Sequence, residues 1–89
     1  IQPGINATTA AGTILVFAGT YTSDSANLTG TQTLRLSTGA AVTLNGPISG
    51  PLGSTINLNR GTLTAGNGTS TTVASRITGA GPSNFVKQG

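Results

Sequence analysis

Short runs of alternating apolar and polar residues recur along the whole chain. Thr33 to Ser37 and Thr55 to Asn59 are two examples. Successive side chains of a strand point to opposite faces, so such runs predict half-buried β-strands. The pattern predicts strands at Ile14 to Phe17, Gly19 to Thr22, Thr33 to Ser37, Ala41 to Leu44, Thr55 to Asn59, Thr62 to Thr64, Thr71 to Ala74, Arg76 to Thr78 and Asn84 to Lys87.

Turn signals separate these runs. Gly, Asn-Gly and Gly-Pro steps such as Gly50-Pro51 and Asn67-Gly68 stand between them, because Gly and Asn tolerate positive φ and Pro removes a strand donor. Helix signals are weak. Only Pro3 to Ala11 predicts a single cap-like helical turn.

The spacing of the apolar residues predicts the fold. One pair of apolar positions recurs at a nearly constant step along the chain: Ile14 and Val16, Leu34 and Leu36, Ile56 and Leu58. A second series with similar steps is Tyr21, Thr43, Leu63 and Val86. Parallel series of this kind are typical of a solenoid. We therefore predict one all-β module, residues 1–89, with a cap-like turn at 1–12 and about four coils of 20–23 residues in 13–89. The alternative is a β-sandwich with evenly spaced turns.

Charge is scarce and limits the chemistry. Charged residues are 6% of the chain, His and Cys are absent, and the net charge is +3. Asp24 is the single acid, whereas paired-carboxylate catalysis needs two, calcium sites usually use several and a hydrolytic triad needs a base. We therefore expect no enzyme activity, no metal and no cofactor. Asp24 is interpreted as a turn residue in Thr22 to Ser25, and Arg35 as an outward surface cation.

Three further possibilities are disfavoured: a nucleic-acid-binding protein, a membrane-spanning chain and a disordered chain. The four cations form no run and stacking aromatics are lacking, so we expect no nucleic-acid partner. No apolar run reaches the roughly 18 residues of a membrane span. A mean hydropathy of +0.12, together with the alternating β-branched runs, also argues against a disordered chain.

The opening residues resemble the first coil of pectate-lyase-like β-helix proteins. Ile1-Gln2-Pro3-Gly4-Ile5-Asn6-Ala7 is similar to their IQxAI-x-A cap turn, and Gly12 to Tyr21 is similar to GDTI-x-V-x-x-GTY. This resemblance implies a right-handed parallel β-helix and a secreted protein.

The second half resembles the passenger repeats of bacterial autotransporters. Ile56 to Thr64 is similar to VNxGTLT, and Ile77 to Gly89 to I-x-G-x-G-x-L-x-K-x-G. The resemblance implies display at a bacterial cell surface and a structural role for Lys87. The family repeat continues beyond the position of Gly89, which implies a last coil completed by more chain or by another molecule.

These observations predict a non-catalytic structural subunit that is secreted or displayed on a bacterial surface. It assembles with itself head to tail into an extracellular fibre, by strand stacking or strand exchange. The residues expected at the stacking ends are Ile1, Ile5, Ile14, Val16, Phe85 and Val86. The alternative is a fragment of an adhesin passenger domain that binds a host or cell-surface molecule. Carbohydrate binding is a weaker alternative, because the chain has a single acid and no aromatic platform beyond Tyr21. Ice binding by outward Thr is also weaker, because the Thr residues do not recur at one constant step.

Overall fold

The alternating runs form strands. A computed structural model describes residues 1–9, 11–22 and 24–89. Ala10, in the predicted cap-like turn, and Ser23, in the predicted turn at Thr22 to Ser25, lie outside the described residues. The elements are α1 (Gln2–Ala7), β1 (Thr13–Val16), β2 (Gly19–Tyr21), β3 (Ala26–Asn27), β4 (Thr33–Leu36), β5 (Ala41–Leu44), β6 (Ile48–Ser49), β7 (Thr55–Asn57), β8 (Thr62–Ala65), β9 (Arg76–Thr78) and β10 (Asn84–Lys87).

The strands stack as three parallel sheets. Sheet A has the order β1-β4-β7-β9, sheet B the order β2-β5-β8-β10, and sheet C joins β3 to β6. Each strand pairs in parallel with its counterpart one coil later. Such pairing confirms the predicted all-β solenoid, and it excludes the β-sandwich, whose sheets are antiparallel. The solenoid has about three turns, so the predicted count of about four coils is not confirmed.

Sheet A follows the predicted spacing. Ile14 pairs with Leu34, Leu34 with Ile56, and Ile56 with Ile77, so that these four residues form one inward-facing column. Leu34 and Ile56, in the middle of the column, are fully buried. Burying an aliphatic side chain contributes about 1.5–3 kcal/mol, so this column is a main source of stability. Arg35 alternates with the column and is exposed, as predicted.

Sheet B corrects the second predicted series. Tyr21 pairs with Leu44, Leu44 with Ala65 and Ala65 with Lys87, whereas the sequence spacing had placed Tyr21 in register with Thr43. The predicted series was wrong because it mixed neighbouring columns of the sheet. A one-residue slip exchanges the inward and outward faces of a strand. Val42, Leu63 and Phe85 form the other inward column.

Sheet C was not predicted. Its strands β3 and β6 are two residues long, too short to show an alternating pattern. The predicted strand at Thr71 to Ala74 is wrong, since only Val73 makes a bridge there, to Gly50. The coils turn tightly between sheets B and C, where a methyl group added at Gly46 would overlap the carbonyl oxygen of Asp24.

The helix lies at the N-terminal end of the stack. It begins at Gln2 and ends at Ala7, inside the predicted cap at 1–12 and shorter than the predicted turn at Pro3 to Ala11. It packs against β3, and Gly4 lies next to the Cγ2 atom of Ile14. The helix therefore covers the interior at this end.

Candidate functional site

The C-terminal end of the solenoid leaves inward-facing apolar residues in solvent. Ile77, the last member of the sheet A column, is 41% exposed, and Phe85, the last of its column in sheet B, is half-buried. Their counterparts one coil earlier, Ile56 and Leu63, are fully buried. The strands β9 and β10 are also the last in their sheets, so one edge of each is open. Such edges accept further strands.

Two cations accompany this open end. Arg76 is exposed on the outer face of β9. Lys87 occupies the inward column of sheet B, after Leu44 and Ala65, and is half-buried. Its ammonium donates to the main-chain oxygen of Gly89. An inward-pointing charge on an edge strand is a recognised way to discourage unwanted strand addition. A molecule that covers this end must therefore accommodate the charge of Lys87.

The N-terminal end is closed by α1. Ile5 is 1% exposed and belongs to the apolar core, and Ile14 below the helix is 9% exposed. The side-chain amide of Gln2 accepts from the main-chain N–H of Asn27 at 2.7 Å and donates to the Asn27 carbonyl at 3.4 Å. The amide therefore makes the two hydrogen bonds that the main chain of a neighbouring strand would make at the edge of β3.

Gln32 fixes the other end of the helix. It is 1% exposed, and its Nε2 donates to the carbonyl oxygens of Ile5 and Thr8, both at 2.9 Å. Its Oε1 accepts from the main-chain N–H of Thr29 at 2.9 Å. The Ile5 carbonyl also accepts from the main-chain N–H of Thr8 at 3.1 Å, so the amide adds a second donor there and supplies one to Thr8, just beyond the end of α1.

Asp24, the single acid, also holds α1. Its carboxylate binds the ammonium of Ile1 and accepts from the main-chain N–H of Gln2 at 3.3 Å and of Ser25 at 2.9 Å. Burial raises the pKa of this carboxyl, but the three donors and the nearby positive charge outweigh it, so the pKa lies below its ordinary value of 3.8. Asp24 is therefore ionised at neutral pH and acts as a fixed acceptor for the helix.

The described residues contain no group of three metal-ligating side chains. An open groove of about 520 Å³ lies at the corner between two coils, lined by Leu52, Gly53, Ser54, Thr55, Ala74 and Arg76. Its Ser54 hydroxyl already pairs with Ser75 at 2.6 Å. The polar side chains of the groove are therefore one cation and the hydroxyls of Ser54 and Thr55, of which that of Ser54 is already paired.

The predicted stacking residues fall into two groups. At the N-terminal end Ile5 in α1 and Ile14 below it are buried, Val16 is buried in β1, and Ile1 is half-buried. At the C-terminal end Phe85 is half-buried, and Val86 is 46% exposed on the outer face of β10. The structure thus divides these residues between a closed and an open end, and their role in association stays a prediction.

Sequence reasoning missed two residues of the open end. Ile77 continues the column of Ile14, Leu34 and Ile56 at almost the same step, so the spacing itself could have identified it. Lys87 was assigned a structural role from a motif. Its inward position follows only from the corrected register of sheet B.

Comparisons with models of known protein families, with curated proteins and with solved structures find no significant match. Within the described ranges, no helix has the length and apolar character needed to cross a membrane.

Proposed function

We propose that this chain is a non-catalytic structural subunit, secreted or displayed at a bacterial surface, that assembles head to tail with copies of itself. The observation that carries the proposal is the open C-terminal end, where Ile77 is 41% exposed in a column whose middle members are fully buried. Repeated head-to-tail contact generates an open filament.

The parallel register specifies which strands would meet. Sheet A would continue from β9 of one copy to β1 of the next, and sheet B from β10 to β2. Ile77 would then lie over the next copy's Ile14, which belongs to the same column. Each such contact buries the exposed apolar surface of the C-terminal end, keeps Ile14 covered in place of α1, and pairs the open strand edges.

Charge favours this arrangement over a tail-to-tail contact. Two C-terminal ends brought together would place Arg76 and Lys87 near their own copies, and like charges at an interface cost several kcal/mol. The N-terminal end carries Asp24 instead, the single acid of the chain. Head-to-tail stacking therefore sets opposite charges at the same junction.

The helix α1 must leave the N-terminal end before strands can stack there. Neighbouring parallel strands are about 4.8 Å apart, whereas a helix with its side chains is about 10 Å wide. Leaving exposes Ile5 and breaks the contacts of Gln2 and Gln32. Assembly is therefore expected to be slow and to depend on protein concentration.

An intermolecular disulfide tests the register. Thr20, Thr43, Thr64 and Val86 form one outward column, so stacking places Val86 next to Thr20 of the following copy. Within one molecule these two residues are three layers apart, roughly 14 Å, which is beyond the roughly 7 Å limit for a disulfide. A variant with Thr20→Cys and Val86→Cys should form cross-linked ladders under oxidation.

The matched control carries Leu15→Cys and Val86→Cys, which pairs positions on different sheets. It should give only background cross-linking. Equal ladders from both variants would contradict the register, and a stable monomer in sedimentation at high concentration would contradict self-assembly.

The second candidate is part of an adhesin passenger domain of the kind suggested by the autotransporter-like repeats. The same open end favours it, because a following coil of a longer chain would also cover Ile77. Leu15 and Phe17, which are exposed on the first coil, would offer apolar contacts to a surface partner. A parent gene with a long repeat array favours the adhesin, and a short reading frame favours the fibre.

A further inference from the structure

The burial of Lys87 in a stacked junction poses an electrostatic problem. Lys87 ends the inward column that begins with Tyr21 and continues through Leu44 and Ala65. Another coil below β10 would cover its side chain. The ammonium now donates to the main-chain oxygen of Gly89 in an exposed position. Burying it without a negatively charged partner costs several kcal/mol, so a stable junction needs a carboxylate close to this position.

The chain has one side-chain carboxylate that could serve, and the register places it at the junction. Continuing the column beyond Lys87 brings Tyr21 of the next copy beneath it. The main-chain N–H of Asp24 donates to the carbonyl of Tyr21 at 3.3 Å, so Asp24 lies at the turn directly after this residue. Asp24 is three residues beyond Tyr21 in the chain, and the flexible four-carbon stem of lysine extends the reach of its charge toward this turn.

Stacking also removes hydrogen-bond donors from the carboxylate of Asp24 in the following copy. In the free protein Asp24 binds the Ile1 ammonium and the N–H of Gln2, both of which belong to the N-terminal segment around α1. When α1 leaves, only the N–H of Ser25 remains among these donors. A carboxylate that has lost two donors, and that the next coil covers again, requires a new donor.

We propose that Lys87 of one copy binds Asp24 of the following copy in the stacked assembly, where it replaces α1 as the partner of that carboxylate. This inference rests on the head-to-tail assembly proposed above. Asp24 then has two alternative partners: its own N-terminal segment, which closes the end, and a neighbouring Lys87, which extends the stack. The junction becomes selective for the end that carries the acid.

A split cross-linking experiment tests the pair. The donor protein carries Val86→Cys and the acceptor protein carries Thr20→Cys, so that only a junction between the two yields the disulfide. Lys87→Asp in the donor alone, or Asp24→Lys in the acceptor alone, should lower the yield about tenfold, since each creates like charges. Both together restore opposite charges and should return the yield to within about threefold of the unsubstituted pair.

Two controls separate this inference from the proposed function. Arg35→Asp in the donor changes an exposed cation away from the ends and should leave the yield unchanged. Asp24→Asn and Lys87→Gln together remove both charges without disturbing the shape, and should give an intermediate yield. Circular dichroism of each variant monitors folding.

The outcomes are distinct. If the unsubstituted pair forms no disulfide, head-to-tail assembly fails and this inference fails with it. If the unsubstituted pair cross-links and the combined charge exchange is no better than either single change, assembly stands and the Lys87–Asp24 contact is refuted. Recovery by the combined exchange supports the contact, because a loss of stability would not be repaired by a second substitution in another molecule.

Discussion

The two ends of the solenoid treat the same column of side chains in opposite ways. Ile14 begins the inward column of sheet A and is 9% exposed, whereas Ile77 ends it and is 41% exposed. Both are isoleucines in the same register on one sheet. The difference lies in what covers them, because α1 lies over Ile14. The exposure of a residue at the end of this solenoid therefore depends on whether a cap covers it, and not on its place in the repeat.

The ends also handle their open strands differently. At the N-terminal end a side-chain amide, that of Gln2, pairs with the main chain of Asn27 and satisfies the edge of β3. At the C-terminal end the edge strand β10 instead turns Lys87 into the inward column. The first device satisfies the edge, and the second repels strands that bring no negative charge. An end protected in the second way can still accept a partner that has an acid at the matching position.

Truncating one isoleucine at each end gives the largest expected contrast. Ile5→Ala removes a fully buried side chain and should lower the free energy of unfolding by about 3 kcal/mol. Ile77→Ala should cost about 1 kcal/mol or less, because its side chain is already partly in solvent. Urea unfolding at a concentration where the protein is monomeric measures both, and equal losses would show that α1 does not seal its end.

The columns of sheet A could be predicted from sequence because three coils repeat the same Leu, Ile or Val pair at nearly constant steps. The strands of sheet C could not, since Ala26-Asn27 and Ile48-Ser49 are too short to show a period. Their positions follow from packing: Ala26 and Ile48 are fully buried because the coil must close. Short connecting strands are thus determined by tertiary structure.

The candidate site was only half visible in the sequence. Apolar residues near each terminus indicated the ends, but not which end is closed. That distinction depends on two amides far apart in the sequence, whose partners come close only after the first coil is formed. Gln2, in α1 itself, pairs with Asn27, and Gln32 donates to the carbonyl of Ile5. In a Thr-rich chain with few charges, the sequence gives no signal that separates a buried polar partner of a helix from a solvated surface group.

Gln32→Ala tests the attachment of the helix more gently than a core truncation. The change leaves the carbonyls of Ile5 and Thr8 without the buried amide that now donates to them, which should cost about 2 kcal/mol. Gln88→Ala, at an exposed position near the open end, should change stability by less than about 0.5 kcal/mol. Hydrogen exchange should show faster exchange in α1 for the first variant only. Uniformly faster exchange throughout the coils would argue that Gln32 supports the fold as a whole.

Protonation of Asp24 in acid should destabilise the closed end, and this should be the smallest of the expected effects. Burial raises the pKa of Asp24, but the donors from Ile1, Gln2 and Ser25 outweigh this effect and hold the pKa below its unfolded value of 3.8. A depressed pKa means that the stabilisation is fully present above the unfolded value and is lost as pH falls through the folded one. The midpoint temperature of thermal unfolding should therefore be nearly constant from pH 7 to pH 5, and it should decrease once the pH is lowered below about 4.

The control for this measurement is Asp24→Asn, which cannot ionise. It should be less stable than the unsubstituted protein at pH 7, by about 1 kcal/mol for this partly exposed group, and its stability should vary less with pH in the acid range. Because Asp24 is the only side-chain carboxylate, any remaining acid dependence must come from the chain termini. A variant whose acid unfolding matched that of the unsubstituted protein would show that Asp24 contributes no net stability, and the closed end would then depend on Ile5 and the two amides alone.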